Sequence, residues 1–433
     1  MEIFSSYNVI IGISLTIILS FIFNGIAKKT NVPAVLMLII LGVVIQYVLK
    51  AFPGNSIDFF PILEVLGIVG LIMIVLEAAL ELELKSEKLI PILKSLAIAL
   101  IGLVASTYIA ALILYGLVEG MTMQSAWLYA TPLSILSSAI IIPSVAGLSD
   151  AKKEFHIYES TFSDILGIMM FYFLTGKLNP AEDNGVTGFA LNLVLTIVIS
   201  LIASYGIILI FQKIKSQVKL FLLIAVLLLL YGLGKKMHLS SLIIVLIFGL
   251  VIANMKLFFQ GPLRKFLDFE KAKSIYHELH VITAETAFVV RTLFFVIFGI
   301  TIALSSLLDL KVTLVSVLII ISIYAIRYGL LRLFMGKDIA PQVFIAPRGL
   351  ITVLLFFAIP AEAMIEGFNP GILLFVIIGT SLIMTGGMIR DKKVERLAEE
   401  IQEQEDTEEA EFYINNTTDL SEIEDSSMDE EYE

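Results

Sequence analysis

The stretch HIYESTFSDILGIMMFYFL (156–174) sets Glu159 and Asp164 in a run that is otherwise apolar toward its end. Charged carboxylates among Leu, Ile, Met and Phe are costly, so each needs compensation. A fixed cation, a proton, or a metal ion held among oxygen atoms can supply it. The first makes a structural ion pair; the other two make chemistry. Ser160 and Ser163 bring neutral oxygens to the same segment. At 100° per residue Asp164 is turned about 140° from Glu159, so the two acids are expected to find different partners.

Three of the 29 basic residues lie inside apolar runs. They are Arg291 in AETAFVVRTLFFVIFGI, Arg327 in ISIYAIRYGLLRLF and Arg348 in IAPQVFIAPRGLITVLLF. A guanidinium keeps its proton, so each of these also needs a match. Arg327 and Arg348 are both candidates for a fixed pair with Glu159. Arg291 has Glu285, Glu77 and Asp164 as candidates. Glu77 and Glu81, in LIMIVLEAALELELK, stand near the end of their run and could instead reach the polar interface. If Asp164 is permanently hydrogen-bonded or paired with Arg291, it is structural. If it takes a proton and a dehydrated monovalent cation in turn, the two compete, and such competition is what cation/proton exchange requires.

The elements that must position these groups are membrane spans. The 433-residue chain is 58% hydrophobic and only 16% charged, with a mean hydropathy of +0.95. Its charges gather between apolar runs, each long enough to cross roughly 30 Å of hydrocarbon as a helix. About thirteen spans are predicted: 7–27, 33–50, 61–84, 89–118, 125–147, 155–175, 187–212, 218–234, 239–257, 277–305, 311–335, 341–361 and 370–389. The first lacks the basic start and small-residue cleavage site of a signal peptide and is kept as a span. At 1.5 Å per residue, Asp164 lies about 15 Å deep and Glu159 about 7 Å.

Two spans read as broken. ATPLSILSSAIIIPSVAG (130–147) holds Pro132 and Pro143 around Ser134, Ser137 and Ser138, and 339–356 holds Pro341, Pro347 and Gly349 around Arg348. Proline opens the backbone ladder, and lipid tolerates that only against protein or a wet cavity. Interrupted helices in matching places of two halves mark inverted-repeat transporters. Repeats over spans 1–6 and 8–13 would put each break fifth in its repeat.

Orientation follows from the basic residues of alternate loops. One set holds 21 and the other 5, which predicts an outside N-terminus, a cytoplasmic C-terminus and a cell (inner) membrane location. The net charge of −11 comes mostly from an acidic tail, 391–433, expected to be largely disordered. With no cysteine and four scattered His, no zinc site is predicted. Neither a cofactor nor a nucleic-acid partner is expected. A potassium-filter loop and a phosphate-binding loop are absent from the sequence. An intramembrane aspartyl protease would need a second deep acid, so an enzyme is not predicted. A sodium-coupled carrier of a small organic solute, or a cation channel, stands as the alternative.

These residues resemble the monovalent cation:proton antiporter superfamily, most of all its electroneutral sodium/proton exchanger branch, over roughly residues 7–390. That branch has a sixth-span motif of Glu, three residues, Asn and Asp, whose places are held here by Glu159, Ser163 and Asp164. YAIRYGLL is similar to the helix whose Arg pairs with the motif Glu, which favours Arg327 over Arg348. APRGLITV resembles the second unwound segment. The resemblance implies that Asp164 carries the ion in an elevator-type homodimer, and the residues themselves offer Ser163, Ser160, Ser137 and Ser138 as its oxygen donors. Its moving core would be 89–175 and 311–389, and its dimer scaffold 7–84 and 187–305. Ser163 in place of Asn, and LSSAIII in place of a Thr-Asp-Pro segment, depart from the pattern. One titratable acid exchanging one cation for one proton moves no net charge, so 1:1 electroneutral exchange is expected. The expected fold is all-α and polytopic, with unwound helices 5 and 12 crossing.

Overall fold

A computed structural model of the chain describes residues 6–392 apart from 31, 52–59, 83, 85, 179–184, 215–218, 238, 240 and 302–303. All but the first two residues of the predicted acidic tail lie outside the described residues. Lipid offers a backbone no other partners, so apolar runs of this length satisfy their own N–H and C=O groups as helices. Among the described residues there is no strand. The helices are α1 (Ser6–Thr30), α2 (Ala34–Lys50), α3 (Phe60–Glu81), α4 (Leu89–Leu117), α5 (Met123–Ser134), α6 (Ser138–Ser144), α7 (Asp150–Gly176) and α8 (Gly185–Phe211). They continue as α9 (Lys219–Lys236), α10 (Ser241–Ala253), α11 (Met255–Phe258), α12 (Phe269–Thr301), α13 (Leu310–Met335) and α14 (Leu350–Phe357), closing with α15 (Gly371–Lys392). Each predicted span except 341–361 overlaps a helix or a broken pair along most of its length, and eight described stretches are long and apolar enough to cross a membrane.

Two boundaries differ from the sequence reading. α12 begins at Phe269 rather than 277. Its first turns bury Ala272, Ile275 and Leu279 while Glu270, Lys271 and Lys273 face outward, and this polar face hides the helix from a hydropathy reading. The span predicted at 341–361 is regular helix only over Leu350–Phe357. Ahead of it Val343 N–H closes one turn onto the Ile339 carbonyl at 2.8 Å, and 345–349 have no regular structure. Pro341 and Pro347 supply no N–H, and Pro347 also steers Ala346 away from helical angles.

Side-chain caps fix two of the helix starts. Thr122 Oγ1 accepts from Ser125 N–H at 3.1 Å at the head of α5, and Asp309 Oδ1 accepts from Lys311 N–H at 2.8 Å at the head of α13. Packing then sorts the helices. α12 lies on α2 and α3, and α10 on α3, α8 and α9, while α4 packs against α5, α7 and α13. At the α2–α12 crossing the backbones touch: a Cβ on Gly42 would sit 2.1 Å from the Val296 carbonyl oxygen, and one on Gly299 2.4 Å from that of Ile39. Small residues that admit such approach are how helices associate in lipid.

The burial pattern inverts that of a water-soluble protein. Large apolar side chains such as Phe21, Ile90, Ile202 and Leu333 are exposed on the outside, whereas Glu159, Asp164, Arg327 and Arg348 are buried within. The charges thus lie where α7, α13 and the two interrupted segments converge.

Candidate ion-binding site

The two interrupted segments cross and bind each other. α5 ends at Ser134 and α6 resumes at Ser138. Between them Ser137 N–H donates to the Pro347 carbonyl of the second segment at 3.0 Å. Gly349 is required at the crossing, since a Cβ there would lie 2.4 Å from Ser137 Oγ. Arg348 is 2% exposed and clamps the junction. Its Nε donates to the Leu133 carbonyl at 2.9 Å, Nη2 to that of Ser134 at 3.1 Å, and Nη1 to that of Ala346 at 2.6 Å. Leu133 and Ser134 close α5, whose last carbonyls lack helical partners and form the negative end of its dipole. The guanidinium supplies donors and compensating charge together. Its backbone N–H is held by Thr380 Oγ1 of α15 at 3.1 Å.

Glu159 and Asp164 are five residues apart on α7, and their surroundings differ completely. Arg327 holds Glu159 with both arms, Nη1 to Oε1 at 2.7 Å and Nη2 to Oε2 at 2.9 Å. Its Nε donates to the Gln342 carbonyl of the second interrupted segment at 2.9 Å. This parallel, charge-assisted geometry is the strongest form of such a pair. His156 Nδ1 lies 3.4 Å from Glu159 Oε2, with the imidazole fully buried. The sequence reading missed His156, although its i,i+3 spacing from Glu159 was available as a signal.

Asp164 is 2% exposed and has no ion-pair partner among the described residues. Ser138 Oγ donates to its Oδ2. Oδ1 has no hydrogen-bond partner among the described residues, and neither has Ser137 Oγ. The carboxyl borders a cleft that is otherwise apolar, formed by Val75 and Ala78 of α3, Leu242, Ile243 and Leu246 of α10, Ile165 and Ile168 of α7, and Ile351 of α14.

The remaining serines are engaged elsewhere. Ser163 Oγ accepts from Leu136 N–H at 3.0 Å, fastening the α5–α6 break to α7. Ser160 Oγ donates to the His156 carbonyl of its own helix at 2.7 Å. Of the four serines expected around Asp164, Ser138 is the one hydrogen-bonded to its carboxyl, and Ser137 lies next to it in the chain. Arg291 takes Glu77 from its three candidates, Nη2 to Oε2 at 3.1 Å, and Nη1 donates to the Ala139 carbonyl at 2.9 Å. Glu81 meets His280 Nε2 at 2.9 Å. Both α3 acids are therefore drawn onto α12 rather than out to the interface.

Comparison with known proteins settles the family. A family model described as "Sodium/hydrogen exchanger, transmembrane" matches residues 14–390. The chain belongs to the sodium/hydrogen exchanger family. It is a multi-pass membrane protein of a family of cation/proton antiporters, not of enzymes. Among solved structures it is similar to the sodium proton antiporter MjNhaP1 from Methanocaldococcus jannaschii at pH 8. The match has TM-score 0.66 and 21% identity, over 90% of this chain and 99% of that one. An electron-microscopy structure of the same antiporter matches with TM-score 0.66 and 18% identity, over 89% and 96% of the two chains. At that identity the likeness establishes a shared fold. No curated protein matches at a significant level.

Proposed function

We propose that this exchanger swaps one monovalent cation, Na+ or K+, for one proton at Asp164, with no net movement of charge. The observation that carries the reading is the contrast along α7. Glu159 is saturated by Arg327, while Asp164, among the described residues, is hydrogen-bonded by Ser138 alone and has no partner for Oδ1; the Ser137 hydroxyl, next to Ser138 in the chain, likewise has no partner among them. A carboxylate so placed needs a positive partner, and a proton or a dehydrated cation among Asp164, Ser137 and Ser138 oxygens serves equally. An unloaded Asp164 would carry a bare charge past an apolar cleft wall, which is costly. The carrier therefore moves only when loaded, and that makes exchange obligatory. Either loaded form bears the same charge, hence electroneutrality. The apolar cleft gives an organic solute few polar partners, which weighs against the solute-carrier alternative.

The movement we assign is an elevator. Spans 89–175 and 311–389 travel as the core, and 7–84 with 187–305 stay as the scaffold of a homodimer. Arg327 and Arg348 tie core segments only to one another, so neither clamp breaks during the movement. The alternate-loop bias supports a cell (inner) membrane protein with its N-terminus outside and C-terminus in the cytoplasm, serving pH and cation homeostasis.

The test is cation-driven pH change in proteoliposomes, with Na+, K+ or Li+ added and the voltage clamped or not by valinomycin and K+. The wild type should respond to its cation equally under both voltage conditions, and Asp164→Asn should not respond while remaining folded. Exchange persisting in Asp164→Asn would remove Asp164 from the mechanism. A rate that follows the clamp would overturn electroneutrality.

A further inference from the structure

Arg291, on α12, binds two other elements at once. Nη2 holds Glu77 of α3 and Nη1 donates to the Ala139 carbonyl of α6 at 2.9 Å. That acceptor is free for a reason written in the sequence. An α-helix would fill the Ala139 carbonyl with the N–H four residues on, and the residue there is Pro143, which has none. Pro143 thus opens one carbonyl in the first turn of α6, and Arg291 reaches across from another helix to occupy it. α6 is the half-helix whose first residue, Ser138, hydrogen-bonds Asp164.

We propose that Arg291 is a positioning residue whose bond to Ala139 latches the Asp164 region to the scaffold in one access state and opens when the core moves. The inference rests on the exchange reading and its division of the chain, in which α6 travels while α3 and α12 stay. Arg291 and Glu77 both lie on the stationary side, so the guanidinium keeps its counter-charge throughout. Only the hydrogen bond to Ala139 is made and broken. Nε, buried and without a hydrogen-bond partner among the described residues, gives the group a spare donor for that change. A contact of this kind sets the balance between two states, since anything that weakens it favours the state lacking it.

The chain has no cysteine, so a single one introduced by Leu246→Cys, in the cleft beside Asp164, reports access. Its labelling by a membrane-impermeant thiol reagent is compared from the two sides of sealed vesicles, alone and combined with Arg291→Lys or Pro143→Ala. Lysine keeps the charge beside Glu77 but lacks the fork to hold both partners. Pro143→Ala returns an in-helix donor to Ala139 and alters no charge. The two-sided labelling ratio should shift roughly tenfold in Arg291→Lys, the worth of a hydrogen bond from a charged group. Pro143→Ala should shift it less but in the same direction, and the double variant no further than Arg291→Lys. An unchanged ratio in either variant, or opposite shifts, would overturn the latch. If Arg291→Lys does not fold, Pro143→Ala decides alone. Absence of any cation-driven proton movement by the wild-type protein would instead overturn the exchange reading, and the latch with it.

Discussion

At the residue scale, lipid makes charge conspicuous. Glu159, Asp164, Arg291, Arg327 and Arg348 could be singled out from the sequence because a span has no ordinary use for them. What each does depends on neighbours that come from other helices, and those were harder to read. The helical angle between Glu159 and Asp164 already separated their partners. Nothing in the chain order said that Arg348 would spend its donors on carbonyls at the end of α5, or that Ser163 would hold Leu136. Gln342 and Thr380 escaped notice because a neutral polar residue in a mixed stretch looks the same whether it faces water or a buried charge. The pair of Glu159 with Arg327 has a measurable consequence. Glu159→Ala leaves a buried guanidinium without its carboxylate, a change that costs about 3–5 kcal/mol. Thermal unfolding in detergent should show a large drop in midpoint and yield. The double variant Glu159→Leu/Arg327→Met, which removes both charges, should recover most of it. A single variant as stable as wild type would mean that the pair contributes no stability.

At the element scale, hydropathy located the apolar helices but could not find where a helix gives way to something else. Prolines announced that 130–147 and 339–356 were interrupted, because each removes a donor, yet they did not say where helix resumes. In the first segment it resumes at Ser138. In the second it waits until Leu350, after a single turn and an irregular stretch. The early start of α12 was hidden for a different reason, since three buried residues on a polar helix leave no apolar run. Close crossings are likewise invisible until the partner is known. Gly42 and Gly299 look like ordinary glycines in their spans, but they let the α2 and α12 backbones touch. Gly299→Val should therefore separate these helices, costing about 1–3 kcal/mol through overpacking. Gly12, with open space around its Cβ position, should accept alanine with little change. Equal thermal stability of Gly299→Val and wild type would show that the crossing tolerates separation.

At the scale of the whole molecule, the alternation of basic loops and the pair of interrupted spans were legible because both are one-dimensional patterns imposed by the bilayer. The crossing itself, with Ser137 N–H on the Pro347 carbonyl, joins residues some two hundred positions apart, and no local pattern records it. There Asp164 has Ser138 on one oxygen and, among the described residues, no partner on the other, and the exchange account rests on that asymmetry. If a proton and a cation occupy the same carboxyl by turns, protons must inhibit cation transport as simple competitors. The direct measurement is the Michaelis constant for the transported cation as a function of pH on the cation-loading side, in proteoliposomes with the opposite side held fixed. At alkaline pH it should reach a plateau, and on the acid side it should rise toward tenfold per pH unit while the maximal rate at saturating cation stays constant. A Michaelis constant independent of pH, with only the maximal rate responding, would mean that proton and cation bind at different places and would contradict the account.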